Sequence, residues 1–235
     1  MDIQKLAGYF ANASYKWKQP FEDYNGFVRY HADSQSSTFI SGDTIFFCPK
    51  GTDIGERTDL SNDILVAIGQ LNKSNRYKRL NQRLNSIFHN YDAYKIYIAA
   101  HSLGASYALL LAKEHIEHIE MAYLFSTGSS ISDVVKGLGQ SIHCKLTRTK
   151  KCNMYKQKIK LIRAIGDPIS VLSQFHHATH ETQLPTVLNP HSSNNFTGGG
   201  IVDKFLEYHR RDLVIQHIRD TIEKNKNNIG MATLK

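Results

Sequence analysis

Apolar and polar positions along the chain fall into alternating strand-like and helix-like runs. Thr44-Ile45-Phe46-Phe47-Cys48 is a continuous apolar stretch closed by Pro49 and Gly51, the pattern of a strand buried on both faces that feeds a turn. Shorter β-rich runs at 27–31 and 38–40 predict two strands before it. Residues 59–69 and 73–91 read as helices, and in the second Tyr77, Leu80, Leu84, Ile87 and Phe88 recur at helical spacing. Residues 95–99 predict the next strand, 104–115 a helix rich in Ala and Leu, 121–125 and 159–165 two further strands, and 203–224 a closing helix. Strands alternating with helices predict an α/β fold with a mainly parallel central sheet and helices on both faces. The stretch 184–200, with Pro185, Pro190 and three consecutive glycines, predicts a long loop of the kind that is usually functional or disordered.

Composition narrows this picture. A chain of 235 residues, 41% hydrophobic and 21% charged, suits one domain spanning 1–235. No apolar run approaches the ~20 residues that a membrane span needs. The first twenty residues lack the basic-then-apolar layout of a secretory signal, so the expectation is an intracellular chain. Cys48, Cys144 and Cys152 are an odd number without tight spacing. They suggest neither a disulfide framework nor a metal site, and a reducing compartment is the simplest reading. The sequons at Asn12, Asn72 and Asn195 would matter only on a secreted chain. The net charge of +8 favours anionic partners, including peripheral contact with an anionic membrane surface. The densest basic stretch, Lys145, Arg148, Lys150, Lys151, Lys156, Lys158 and Lys160, reads as a solvated loop and the polar face of the next strand. Nothing interleaves it with aromatics or frames it as a known module, so nucleic acid is not expected as a partner.

The chemistry concentrates in Ile98-Ala99-Ala100-His101-Ser102-Leu103-Gly104-Ala105. A strand turning sharply into a helix can expose one side chain at the carboxyl edge of the sheet, provided that the residues two before and two after it are small. Ala100 and Gly104 meet that demand around Ser102, and the helix that follows points its N-terminus at the site, which favours developing negative charge.

This elbow, together with Ile45-Phe46-Phe47-Cys48-Pro49-Lys50-Gly51-Thr52-Asp53 and the later Asp59-Leu60-Ser61-Asn62-Asp63, resembles the class 3 lipases, the fungal triacylglycerol lipase-like branch of the α/β-hydrolases. The likeness runs from about Thr44 to His209. Lys50 stands where the family has Arg, and Leu60 where it has Trp. The resemblance implies an α/β-hydrolase fold and a serine carboxylester hydrolase, a lipase or esterase acting on lipid or other apolar esters, phospholipids among them. Ser102 would be the nucleophile, and the backbone N–H groups of Leu103 and Thr52 the oxyanion donors. Residues 53–69 would hold the lid; Ile54, Leu60, Ile64, Leu65 and Ile68 give them an apolar side that equally suits a packed helix.

A serine needs a histidine to take its proton and a carboxylate to orient that histidine, in the chain order Ser, acid, His for this fold. Asp167, in the strand-end turn Ile165-Gly166-Asp167-Pro168, is the preferred acid over Asp133 and Asp203. Of the later histidines His209 is preferred as base, with His191 next and His176 or His177 behind. No cofactor or metal is implied. Acyl transfer to another alcohol would use the same residues. The alternative is a catalytically inactive lipase-like protein that binds a lipid or a protein partner.

Overall fold

A computed structural model describes residues 2–51, 71–128, 139, 146–147, 149–164 and 180–184. In order they form α1 (Ile3–Ala13), β1 (Val28–Ala32), β2 (Ser36–Ser41), β3 (Thr44–Pro49), α2 (Asn75–Asn90), β4 (Lys95–His101), α3 (Leu103–Glu114), β5 (Met121–Phe125), α4 (Lys150–Lys158), β6 (Ile159–Ala164) and β7 (His180–Leu184). The seven strands make one sheet in unbroken sequence order. β1, β2 and β3 pair antiparallel, and β3 to β7 are all parallel. The mainly parallel sheet expected from the sequence is therefore present, with an antiparallel edge.

Because each parallel strand is added on the same side of the last, crossovers of one hand bring their helices to one face. The packing agrees. Tyr77, Leu80, Leu84 and Ile87 of α2, most of α3 and Tyr155 of α4 share a core with Ile45, Phe47, Ile96, Ile98, Ala122 and Leu161. α2 starts at Ser74, whose hydroxyl accepts the Tyr77 N–H at 3.0 Å, an N-cap of the usual kind. α3 is apolar nearly all round because it lies inside: the sheet is on one side, Leu71 and α2 on another, and the Tyr155 hydroxyl reaches the Lys113 carbonyl at 3.4 Å.

The opposite face carries α1, a helix that the sequence reading passed over. Asp2 caps it by accepting the Lys5 N–H at 3.2 Å. Leu6, Ala7, Phe10 and Ala11 recur at helical spacing and pack with Phe27, Phe39, Phe46, Ala99, Tyr123 and Phe125. Phe10 is the centre, stacked on Phe39 at 4.5 Å between ring centroids and 5.0 Å from both Phe27 and Phe46. Burying such a ring contributes about 1.5–3 kcal/mol. Helices thus lie on both faces, α1 on one and α2, α3 and α4 on the other.

Two further expectations change. Much of the basic stretch read as a solvated loop is helical: Lys150–Lys158 form α4, capped by Thr149 and anchored by buried Cys152 and Tyr155, with Lys150, Lys151 and Lys156 on the outer surface and the Lys158 ammonium donating to the Ile119 carbonyl at 2.7 Å. Lysine's good helix propensity permits this once two inward positions are filled. Cys152 is disulfide-bonded, while Cys48 is free and buried. The cysteine content therefore no longer argues for a reducing compartment. Among the described residues no helix is long and apolar enough to cross a membrane.

The β1–β2 turn is held by Asp33, whose Oδ1 accepts the N–H groups of Gln35 at 2.7 Å and Ser36 at 2.8 Å. Its Oδ2 faces His31 at 3.2 Å and Arg83 of α2 at 3.6 Å. Burial opposes ionisation of this carboxyl, but the two N–H groups and His31 outweigh it and keep the pKa below the usual carboxylate value. A group depressed in this way contributes stability that is present above its unfolded pKa, about 4, and lost as pH falls through the folded pKa. Asp33→Asn is expected to lower Tm at pH 7 and to match wild type near pH 2, where the native carboxyl is protonated. Thermal melts at both pH values check this, and an equal deficit at both would refute it.

Candidate active site

Ser102 joins β4 to α3 with φ 58° and ψ −130°. That is a left-handed backbone which non-glycine residues adopt only when surrounding structure enforces it, at a cost of about 1–3 kcal/mol. The enforcement is visible. The Ser102 N–H donates to the Phe125 carbonyl of β5 at 3.0 Å, and the Ser102 carbonyl accepts from Ala105 at 2.9 Å and Ser106 at 3.2 Å. The Ser106 hydroxyl donates to the Gly128 carbonyl at 2.9 Å, tying the chain after β5 to the same turn. Ser102 itself is only 2% exposed. Leu103 is the first residue of α3, so its N–H lies outside the internal hydrogen bonding of the helix and is available to a ligand at the elbow.

The small residues are explained by what they touch. A Cβ on Gly104 would overlap the Pro49 carbonyl oxygen and stand 2.7 Å from the Lys50 carbonyl carbon and 2.8 Å from the Gly51 nitrogen. A Cβ on Gly51 would overlap the Tyr15 hydroxyl and stand 2.8 Å from the His101 carbonyl oxygen. The first turn of α3 therefore rests directly on the chain leaving β3, and that chain is in turn wedged against Tyr15. Ala100, two before Ser102, is fully buried, so the steric role expected of the two small flanking positions is filled by Ala on one side and Gly on the other.

Further side chains complete the clamp, and two of them, Tyr15 and Arg76, lie outside the motifs that the sequence offers for this place. Tyr15, just beyond α1, brings its hydroxyl to 3.3 Å from Nδ1 and 3.4 Å from the carbonyl oxygen of His101, which is 1% exposed. Lys50 lays its Nζ over the Tyr15 ring at 5.9 Å from the centroid, so lysine at this position is seated on an aromatic face. The Lys50 N–H donates to the Gln35 carbonyl at 2.8 Å, and the Lys50 carbonyl accepts from the Arg76 guanidinium of α2. Tyr15 and His101 are 86 positions apart, a separation at which no local pattern carries a signal.

The structure thus brings together Ser102, Leu103 and the chain up to Gly51. Thr52, the residue after Gly51, lies outside the described residues. So do residues 53–69, assigned to the lid, the acid Asp167, the base His209 and its rival His191. β6 ends at Ala164, on the same edge of the sheet as Ser102. It lies two strands from β4, or about 10 Å at the spacing of a sheet. Asp167 follows that strand end by three positions. Among the described residues no group of three or more His, Cys, Asp or Glu side chains is arranged to hold a metal.

Residues 50–135 match the model of the family described as lipase (class 3). No curated protein sequence matches the chain. Solved structures similar to it include the Lip2 lipase of Yarrowia lipolytica, 17% identical, with 77% of each chain covered and a TM-score of 0.48. The Rhizomucor miehei lipase propeptide complex is 15% identical over 77% of this chain and 67% of the other, at 0.48. Lipase II of Rhizopus niveus is 13% identical over 77% and 78%, at 0.44. The chain is thus an α/β fold with a strained serine between β4 and α3, and that elbow lies inside the segment, residues 50–135, that is similar to the class 3 lipase family.

Proposed function

We propose that this protein is a serine carboxylester hydrolase that cleaves lipid or other apolar esters through an acyl-enzyme on Ser102. The observation that carries the reading is the backbone of Ser102: a buried serine at φ 58°, at the carboxyl end of a central parallel strand and the N-terminus of a buried helix. Strain of this kind persists where it presents a reactive group.

In the proposed cycle the Ser102 Oγ attacks the ester carbonyl carbon while His209 takes the hydroxyl proton, and Asp167 orients and stabilises the imidazolium. The carbonyl electrons move onto oxygen, where the N–H groups of Leu103 and Thr52 receive them together with the N-terminal dipole of α3. Collapse breaks the ester C–O bond, and the alcohol leaves with the proton from His209. Water, deprotonated by His209, then attacks the acyl-enzyme; collapse returns the proton to Ser102 and releases the acid. The net charge of +8 supports an anionic lipid interface as the place of action.

The test is covalent labelling by a fluorophosphonate probe, which phosphonylates an activated serine with loss of fluoride. Wild type is expected to label and to hydrolyse p-nitrophenyl esters, Ser102→Ala to do neither, and His209→Ala to lose both far more than His191→Ala. An unlabelled, folded wild type would overturn the catalytic reading and favour a lipase-like protein that only binds a lipid or protein partner. Full activity in His209→Ala, with loss in His191→Ala, would move the base.

A further inference from the structure

Arg76 is in an unfavourable position by four separate criteria. It sits in the first turn of α2, where the positive end of the helix dipole repels a cation. Burial pulls its pKa below the ordinary arginine value, although Tyr107, Tyr15 and Asp33 act in the opposite direction. Its Nε is buried without a hydrogen-bond partner among the described residues. Among the described residues no carboxylate comes within ion-pair distance of it. A buried cation with no carboxylate paired to it among the described residues is costly, and such groups concentrate where their charge has a task.

What the guanidinium does hold is specific. It donates to the Lys50 carbonyl and packs its central carbon 5.0 Å from the centroid of the Tyr107 ring of α3. The accepting carbonyl belongs to the Lys50–Gly51 peptide, whose nitrogen would lie 2.8 Å from a Cβ on Gly104. Arg76 therefore holds the same peptide that the first turn of α3 packs against. The next peptide carries the Thr52 N–H, the proposed second oxyanion donor. We infer that Arg76 is a positioning residue of the oxyanion loop, fixing the Lys50–Gly51 peptide against the N-terminus of α3 and placing a permanent positive charge behind the site where negative charge develops. This rests on the hydrolase reading of Ser102 and goes beyond it, since nothing in the triad or the donor pair calls for a cation on α2.

A bolt that merely joined α2 to β3 would affect stability and leave catalysis to recover once the protein is folded. An electrostatic and positioning role acts on the transition state. In folded Arg76→Gln, kcat for p-nitrophenyl butyrate and the rate of fluorophosphonate labelling are expected to fall about 10- to 100-fold, with KM changed by less than about 3-fold. Inhibition by phenylboronic acid, whose serine adduct bears a tetrahedral anion, is expected to weaken by a similar factor. Arg76→Lys, which keeps the cation, is expected to lose less on each readout, and it carries the same comparison should Arg76→Gln not fold. Labelling, kcat and boronate inhibition all within 2-fold of wild type in a folded variant would overturn the inference, as would a loss confined to Tm. An unlabelled wild type would instead remove the hydrolase reading on which it stands, so the two failures are told apart by the wild-type control alone.

Discussion

Ser102→Ala is expected to lower kcat for ester hydrolysis by at least about 10³-fold, because the proposed nucleophile is lost while the proposed oxyanion donors and the binding surfaces stay in place. The more telling comparison is with Ser102→Gly. Alanine keeps a Cβ and therefore the left-handed strain at φ 58°, whereas glycine removes it. Relief is worth about 1–3 kcal/mol, and the greater freedom of glycine in the unfolded chain takes back about 0.4–1 kcal/mol. Ser102→Gly should thus be about 1 kcal/mol more stable than Ser102→Ala, and both should be inactive. Urea unfolding of the two variants decides it. If the alanine variant were the more stable, the elbow would not be strained and the strongest argument for a reactive serine would go with it.

The second large effect is expected at Gly104. An added methyl meets three backbone atoms of Pro49, Lys50 and Gly51, none of which is the movable end of a side chain. α3 must lift or the chain leaving β3 must retreat, and either motion separates the Leu103 N–H from the loop that precedes Thr52. Gly104→Ala is expected to destabilise by about 2–3 kcal/mol and to lower kcat about 10²-fold or more, the usual consequence of misplacing reacting groups by about an ångström. Gly8 is the control. A Cβ there would only touch the Phe125 ring at 3.7 Å, an ordinary contact inside α1, so Gly8→Ala should gain about 0.5–1 kcal/mol from helix propensity and keep its activity. Circular dichroism melts with parallel p-nitrophenyl butyrate assays would check both, and a Gly104→Ala protein as active as Gly8→Ala would show that the packing of elbow on loop is dispensable.

The sequence made the parallel core legible because its strands are buried on both faces and read as unbroken apolar runs, β3 and β5 above all. α2 was legible through its spaced Tyr77, Leu80, Leu84 and Ile87, and the elbow through its small flanking residues. α1 has the same helical spacing but shares it with a polar, aromatic-rich stretch, and it becomes a helix because one side of the sheet needs covering. α4 was hidden by its lysines. β7, His-Glu-Thr-Gln-Leu, has no apolar run to announce it and forms by pairing with β6. In the site, local chemistry revealed Ser102 and Gly104. Tyr15 and Arg76 stayed unseen, since each meets the β3 exit only after the chain has turned back across the sheet.

The uninterrupted strand order also sets a timetable. In a sheet built β1 to β7 without reversal, each strand docks on a neighbour already synthesised, so pairing advances with the growing chain and few contacts must wait for distant sequence. Among the described residues, the contacts given above for the Ser102 turn, from Tyr15 and Gly51 to Phe125 and Gly128, lie within the first 128 residues. The strained serine can therefore be set before Asp167 and His209 leave the ribosome. Under the proposed mechanism, the nascent chain would carry a finished elbow with no base beside it, chemically silent until its last third is added.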